Sequence, residues 1–501
     1  MKKILTLMAF AASASAFAGG LLTNTNQNAA YLRNFAQEGK IDITSLYANP
    51  AGNAFLSPGW HFTVNSQTAI QKRNITTTFP LFAFNAQTPG VTTHEFKGDA
   101  LAPVIPSFTV SHNWDRWSLS AHFGLTGGGG KCEFDKGLGS FEALYGGNVA
   151  TKLVTGIAQG FVTTQGPAIA AQLVPQLMAG GMSLEQAQEQ AKAQIAAAAA
   201  EYGKQAFGQA PQNYLQGYSL DAYMKGRSYY FGLQLGGAYK INDNISAYIG
   251  IRGVYATCNY SGYVQDFKVA AMGQPMANQN SDLALNCDQT GFGVTPIFGL
   301  DWKINDQWNV AVKYEANTRM SLKNKTVMNE VALAQANQEG NLLAKYKDGA
   351  KVREDIPAIL ALGAEYSPIS KVRLGGGFKM YFDKTARKEN NGEDLIDKNT
   401  WELSLGGEYD INKWITVSGS WQRTKYGLSE AYMNDLSFNL SNNSMGLGVR
   451  VNATERLSID LGYMHTFYQA RDITSATAIG PKTDHYVRKN DVIGIGVNVN
   501  L

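Results

Sequence analysis

The sequence predicts an all-β protein, a 14-stranded antiparallel transmembrane β-barrel, and three observations carry that expectation. Many segments alternate strictly between apolar residues and small or polar ones. Short polar turns flanked by aromatics alternate with connections that are mostly much longer. Only 17% of the 501 residues are charged, Lys+Arg number 43 against 40 Asp+Glu, and mean hydropathy is −0.21. No apolar run after the first residues approaches the ~18 that a spanning helix needs. This balance excludes a solvated disordered chain, a polybasic nucleic-acid binder and a helical membrane protein.

Residues 1–18 read as a secretory signal peptide. Lys2 and Lys3 precede an apolar run through Phe10, small residues follow, and Ala16-Phe17-Ala18 offers cleavage after Ala16 or Ala18. Export matters for the three cysteines, Cys132, Cys258 and Cys287, which are too few for a disulfide scaffold. Cys258 and Cys287 fall near matching outer ends of two consecutive strands, so an oxidised pair and two free thiols both remain open.

The strands follow in order. Along residues 229–239, Tyr229, Phe231, Leu233 and Leu235 alternate with Tyr230, Gly232, Gln234 and Gly236, and residues 245–255, 401–409 and 493–501 repeat the pattern. Tight turns at 114–117, 239–244, 302–308, 366–371, 409–414 and 451–456 place strand centres near residues 65, 108, 121, 234, 250, 297, 313, 361, 376, 405, 417, 447, 460 and 495. Six tight turns and seven longer connections join an even number of strands and leave both ends of the barrel on the tight-turn rim. That asymmetry is the mark of an outer-membrane barrel, closed because lipid supplies no hydrogen bonds.

Two regions stand outside the ladder. The stretch from 19 to about 58 lacks alternation and is long enough to fill a lumen. The insertion at 128–217 reads as a long extracellular loop carrying a helix over 183–206, with Ser183 as N-cap and Gln186 three residues on. Its Ala-rich face would pack on the barrel rim or line an apolar groove.

The stretch G-G-L-L-T-N-T-N-Q-N-A-A-Y-L-R-N-F-A at 19–36 and D-I-T-S-L-Y-A-N-P-A-G-N-A-F-L at 42–56 resembles the start of FadL/TodX-type outer-membrane transporters of long-chain fatty acids and other hydrophobic compounds. Residues 102–130 and 354–366 are similar to that family as well. The resemblance implies a hatch over 19–58 plugging a barrel over 59–501, in the outer membrane of a Gram-negative bacterium. It implies passive uptake gated at Asn49, Pro50 and Ala51. Pro50 fixes its own φ and restricts Asn49, whose side chain can bond nearby backbone, so the turn would be rigid in a wet lumen. In the family, exit is thought to be lateral, near a kinked strand; here Gly124 and the glycines at 127–130 are the candidates, unless that run simply starts a loop. The chain ends Asn498-Val499-Asn500-Leu501 rather than in an aromatic residue, which points to a different assembly signal.

Tyr230, Tyr248, Arg252, Val254, Ile359, Tyr381 and Trp414 are the candidates for lining a substrate pocket. For a carboxylate head the inward phase offers Arg252, Lys313, Arg373 and Lys379, although the inward acids Glu365, Glu402 and Glu408 could instead pair with them. The six histidines show no metal spacing, and no P-loop or nucleophile elbow is present, so no enzyme activity, metal or cofactor is expected. Expected partners are a hydrophobic small molecule, membrane lipid and the outer-membrane assembly machinery, with no nucleic acid and the protein a monomer. A general porin for polar solutes and an adhesin or receptor acting through the long loop are the alternatives.

Overall fold

The computed structural model describes residues 28–501 apart from 339, 340 and 478, so the export signal read at 1–18 lies outside the described residues. Fourteen antiparallel strands close into one barrel in chain order. They are β1 Gly59–Thr78, β2 Thr93–Asn113, β3 Trp117–Phe134, β4 Leu215–Lys240 and β5 Ile245–Ala271. β6 is Leu283–Lys303, β7 is Trp308–Glu315 continued by Ser321–Met328, and β8 is Lys351–Arg353 continued by Ile359–Ile369. β9 Val372–Tyr381, β10 Thr400–Asp410, β11 Ile415–Lys425 and β12 Asn442–Asn452 follow. β13 is Leu457–Tyr468 extended by Arg471–Thr477, and β14 is Gly480–Asn500. β14 pairs with β1 from His61↔Asn500 to Thr78↔Thr483, which closes the sheet on itself. Every strand centre expected from sequence falls inside one of these strands.

The alternation is inverted relative to a soluble protein. Leu233, Leu235, Ile249, Ile251, Leu405, Ile493 and Ile495 are exposed on the outside, while Gln234, Arg252, Glu402 and Ser404 are buried within. An outward apolar band around a polar lumen is what a bilayer selects. Exposed Trp60, Trp114, Trp117, Trp302, Trp308 and Tyr409 collect at the tight-turn rim, with Trp117 against Tyr239 at 4.5 Å and Trp308 against Tyr366 at 4.4 Å. Trp414 belongs to this girdle. It is 44% exposed with Lys413 over its ring at 4.7 Å, so it does not line the lumen as its phase suggested. A turn residue no longer obeys the alternation of the strand it precedes.

The opposite rim departs from expectation in three ways. β3 runs through the glycines at 127–130 to Phe134, so that run is strand and not the start of a loop. The last outer connection is no long loop: Arg471–Thr477 pairs with the beginning of β14 as a hairpin. The insertion holds two helices, α2 Gly139–Ala179 and α3 Leu184–Gln209, the second starting on a Ser183–Gln186 capping box. On α3, Ala187, Ala191, Ile195, Ala199, Gly203 and Phe207 are buried at four-residue spacing, and a Cβ on Gly203 would lie 2.6 Å from the Val154 carbonyl oxygen. The Ala face therefore packs on α2 rather than on the barrel rim. The first turns of α2 plug the outer mouth, where Glu142 accepts hydrogen bonds from Asn85 at 2.7 Å and Tyr218 at 2.9 Å and pairs with His94 at 2.8 Å. Among the described residues no helix is long and apolar enough to cross a membrane.

Cys132, Cys258 and Cys287 are free, buried thiols. The register sets Cys258 opposite Gln289 and Cys287 opposite Tyr260, two positions apart, so the pairing left open by the sequence is not made here.

Candidate functional site

The segment before β1 enters the barrel and fills its inner half. Helix α1, Ala29–Arg33, is N-capped by the Asn28 side chain and buried on every side. Glycines on the wall make room for it. A Cβ on Gly448 would stand 2.5 Å from the Arg33 Cβ, one on Gly462 2.6 Å from the Ala29 carbonyl oxygen, and one on Gly375 2.9 Å from the Ala36 Cβ.

Charge fixes what shape begins. Arg33 pairs with Glu408 at 3.0 Å and Asp460 at 2.7 Å, and Lys40 with Glu408 at 2.7 Å. Arg450 bridges Asp42 at 2.7 Å and Asp460 at 2.9 Å, Lys379 meets Glu38 at 3.0 Å and Glu402 at 3.5 Å, and Arg373 holds Glu408 at 3.0 Å. The inward acids and bases read from sequence are thus largely lumen ion pairs, and four of the partners belong to the plug. Buried charges persist only when matched in this way, because an orphaned one would carry its full desolvation penalty.

Asn49-Pro50-Ala51 sits at the foot of the lumen, with Asn49 3% and Ala51 0% exposed. The Asn49 amide donates to Asp301 and, at 3.2 Å, to the Lys40 carbonyl, while its oxygen accepts from Gly52 N–H at 3.1 Å. Ser246 donates to the Ala51 carbonyl at 2.7 Å, and Asn53 donates to Ser111 at 2.7 Å. Pro50 has φ −69° and starts the 3-10 turn Ala51–Phe55. Tyr248 packs beneath Ala51 and Ala54, so it supports this segment rather than facing an open pocket.

Just above, Arg252 forks onto Glu315 at 2.7 and 3.0 Å, and Lys313 donates to Glu315 at 2.7 Å and to the Tyr47 carbonyl at 2.7 Å. Two cations thus share one carboxylate, and Arg252 Nε is buried without a hydrogen bond. Climbing β5 from Arg252, the inward residues Val254, Ala256, Cys258 and Tyr260 are all buried in one apolar cluster that also takes Tyr230. Near its top a cavity of about 50 Å³ is lined by Phe141, Tyr145, Met224, Tyr260, Leu343 and Tyr346. Space of that size admits a short apolar segment, so a longer chain has to displace side chains. Ile359 and Tyr381 stand opposite each other on β8 and β9 in a small apolar cluster of their own, which Ile356 links to the larger one, and the Tyr381 hydroxyl donates to Glu402 at 2.7 Å. The loop aromatics Phe79, Phe82, Phe141 and Tyr346 carry no periodic signal, and sequence reasoning missed them; their abundance in nominal loops is the one hint.

The wall itself is broken between β2 and β3. Pairing runs from Gly98↔Phe134 to Asp99↔Glu133, stops, and resumes at Phe108↔Phe123. The unpaired window holds Pro103 and Pro106 on β2, and Gly124 with the glycines at 127–130 on β3. Gly128 has φ 105° and Gly130 φ 70°, a left-handed backbone that bends β3 where Gly alone is at ease. His122, just below the break, bonds Thr109 across the strands at 2.9 Å, and the Tyr47 ring lies 5.1 Å from the His122 ring.

A family model described as "Outer membrane protein transport protein (OMPP1/FadL/TodX)" matches residues 193–501, more than half of the chain. Among solved structures, a Pseudomonas aeruginosa FadL homologue is 14% identical with a TM-score of 0.62, over 97% of this chain and 99% of that one. The P. putida toluene transporter TodX is 10% identical with a TM-score of 0.51, over 92% and 94%. The Ralstonia pickettii toluene transporter TbuX is 11% identical with a TM-score of 0.50, over 94% and 99%. At such identities the likeness is one of fold. No curated protein matches the sequence. With the closed barrel, the plugged lumen and the family match together, the chain belongs to the OMPP1/FadL/TodX family of transporters of hydrophobic compounds in the Gram-negative outer membrane.

Proposed function

We propose that the protein takes up long-chain fatty acids, or amphiphiles of the same build, by passive transport through a hatch-gated barrel. The observation that carries this reading is the junction at Arg252: an apolar cluster descends onto two buried cations that share the single carboxylate of Glu315. An apolar slot ending in surplus positive charge suits a chain with a carboxylate head better than a neutral hydrocarbon. TodX and TbuX are toluene transporters by name, and a neutral aromatic would leave that charge unused.

In this reading a bound carboxylate competes with Glu315 and Tyr47 for Arg252 and Lys313. Tyr47 is two residues from Asn49, so the hatch loosens as the ligand arrives. The break between β2 and β3, beside Gly124, then offers a lateral way out to the membrane. A general porin is the weaker reading, because the lumen below Arg252 is filled and ion-paired to its wall.

The test is uptake of radiolabelled oleate by cells lacking their own transporter, with the parent chain or Asn49→Ala/Pro50→Ala at matched outer-membrane levels. Uptake restored by the parent and altered in the variant supports a hatch-gated path. A correctly inserted parent that imports toluene but no oleate overturns the fatty-acid reading.

A further inference from the structure

The outward face of β4, β5 and β6 changes chemistry within a few residues near the outer rim. Phe231, Tyr255 and Phe292 stand side by side across these strands. Tyr255 and Phe292 are 48% and 65% exposed, so this rung belongs to the outer aromatic girdle. Two residues further out, Tyr229 lies opposite Thr257 and Thr257 opposite Thr290. The next rung is charged and polar: Arg227 lies opposite Asn259, and Asn259 opposite Asp288. Arg227 also lies directly opposite Lys131 on β3. Their chain neighbours Cys132, Gly226 and Ser228 are buried, so Lys131 and Arg227 point outward, at the level where hydrocarbon gives way to lipid headgroups.

Two cations abreast on an antiparallel pair repel, and the acid beside them does not answer both. Glu133 accepts Lys131 at 2.5 Å and the Tyr223 hydroxyl at 2.7 Å, with Lys225 at 3.8 Å. The Asn259 amide donates to Asn286 at 2.9 Å and to Asp288 at 2.8 Å. Lys131, Lys225 and Arg227 thus gather around one carboxylate, and among the described residues the Arg227 guanidinium has no ion pair and no hydrogen bond. A guanidinium fork flanked by ammonium groups grips a phosphate at several points, and basic clusters at a membrane interface attract anionic headgroups. Below the cluster, the Tyr229 and Phe231 rings, 6.1 Å apart, provide an outward apolar wall for acyl chains.

We propose that Lys131, Lys225 and Arg227 form an outward-facing site for the phosphomonoester of an outer-leaflet glycolipid. Place and height select that occupant. The outer leaflet of a Gram-negative outer membrane is built of a phosphorylated glycolipid, whereas phosphodiester lipids fill the opposite leaflet. β3 carries Lys131 just beyond the glycines at 127–130, so the chains of an anchored lipid hang beside the break between β2 and β3. The site does not depend on what the barrel carries.

The test measures binding to the purified full chain in a neutral maltoside detergent, with bisphosphorylated lipid A, its phosphate-free form and phosphatidylglycerol as probes. Arg227→Gln should raise the Kd for bisphosphorylated lipid A about tenfold, the loss of one charge-assisted contact, and leave the phosphate-free form unchanged. Arg227→Lys keeps the charge without the fork and should raise that Kd several-fold, which serves if the Gln variant does not give a heat-shifted barrel. Lys303→Gln removes an equal charge at the tight-turn rim and should change nothing. A lipid A Kd unaltered in both Arg227 variants, or weakened as much by Lys303→Gln, overturns the site. So does a parent that binds no lipid A, that loses the phosphate-free form equally on Arg227→Gln, or that binds phosphatidylglycerol as tightly, since the surface is then merely basic.

Discussion

The ring of Tyr47, in the hatch, lies 4.7 Å from the guanidinium of Arg252 on β5, and 4.9 Å from the Lys313 ammonium. One aromatic side chain thus joins the plug to the cation pair beneath the apolar cluster. Cation–π contacts of this sort contribute about 0.5–2 kcal/mol. Tyr47→Ala should loosen the hatch and raise single-channel conductance to small ions in planar bilayers, whereas Tyr47→Phe, which retains the ring, should keep conductance near the parent's. Equal conductance in all three would show that the ring plays no part in holding the plug.

Gly375 lets Ala36 approach the wall. Gly375→Val would drive carbon into Ala36, whose Cβ and carbonyl oxygen lie 2.9 and 3.2 Å from where the new Cβ would stand, an overpacking that costs about 1–3 kcal/mol. The nearest atoms all belong to the plug and none to a neighbouring strand, so the barrel should still run heat-shifted on gels while the hatch becomes open to protease. A protease-resistant hatch in this variant would refute a tight glycine seat.

Glu408 accepts Arg33, Lys40 and Arg373 at once. Glu408→Gln leaves buried cations short of a counter-charge, a loss on the order of 3–5 kcal/mol for breaking one partner of a buried network. Lower urea resistance of the hatch, followed by cysteine labelling at Ala36→Cys, is the expected outcome. Labelling no faster than in the Ala36→Cys parent would show the network to be dispensable.

Much of this was legible in the sequence, and the reason is periodicity. Leu233, Leu235, Ile493 and Ile495 alternate because lipid lies on one side of the wall and lumen on the other, so strand count, phase and rim followed from residues alone. Ser183 and Gln186 announced α3 by a local capping rule. Long-range placement was not legible. α2 carries Pro167 and Pro175 within its length, and its first turns are set by contacts with Asn85, His94 and Tyr218 rather than by propensity. Arg252 was found by phase, but its neighbour Tyr47 belongs to an irregular segment whose partners are fixed only when the barrel closes. Trp414 failed because phase was carried one residue past the end of a strand.

The outer cap gives a pH dependence. Lys345 lies in the 3-10 turn Leu342–Tyr346, beyond the membrane-spanning strands. Burial pushes its ammonium down to about 7, and Glu354 and Glu389 hold it from falling further. A lysine with a folded value below its unfolded one, near 10.4, opposes packing while protonated. The cap should therefore tighten as pH rises from about 7 towards that unfolded value and be most open to protease below 7. Limited proteolysis of the 329–350 connection at pH 6 and pH 9 checks this, and Lys345→Met should abolish the difference.

Pro103 and Pro106 lie in the part of β2 that has no pairing with β3. An unpaired peptide facing hydrocarbon ordinarily strands an N–H donor at a penalty of several kcal/mol, and proline has none to strand. Two of the chain's 14 prolines thus remove two such donors from one short window. The breach in the wall can stay open to lipid without a thirsty backbone pulling it shut, and water has correspondingly little to hold it there.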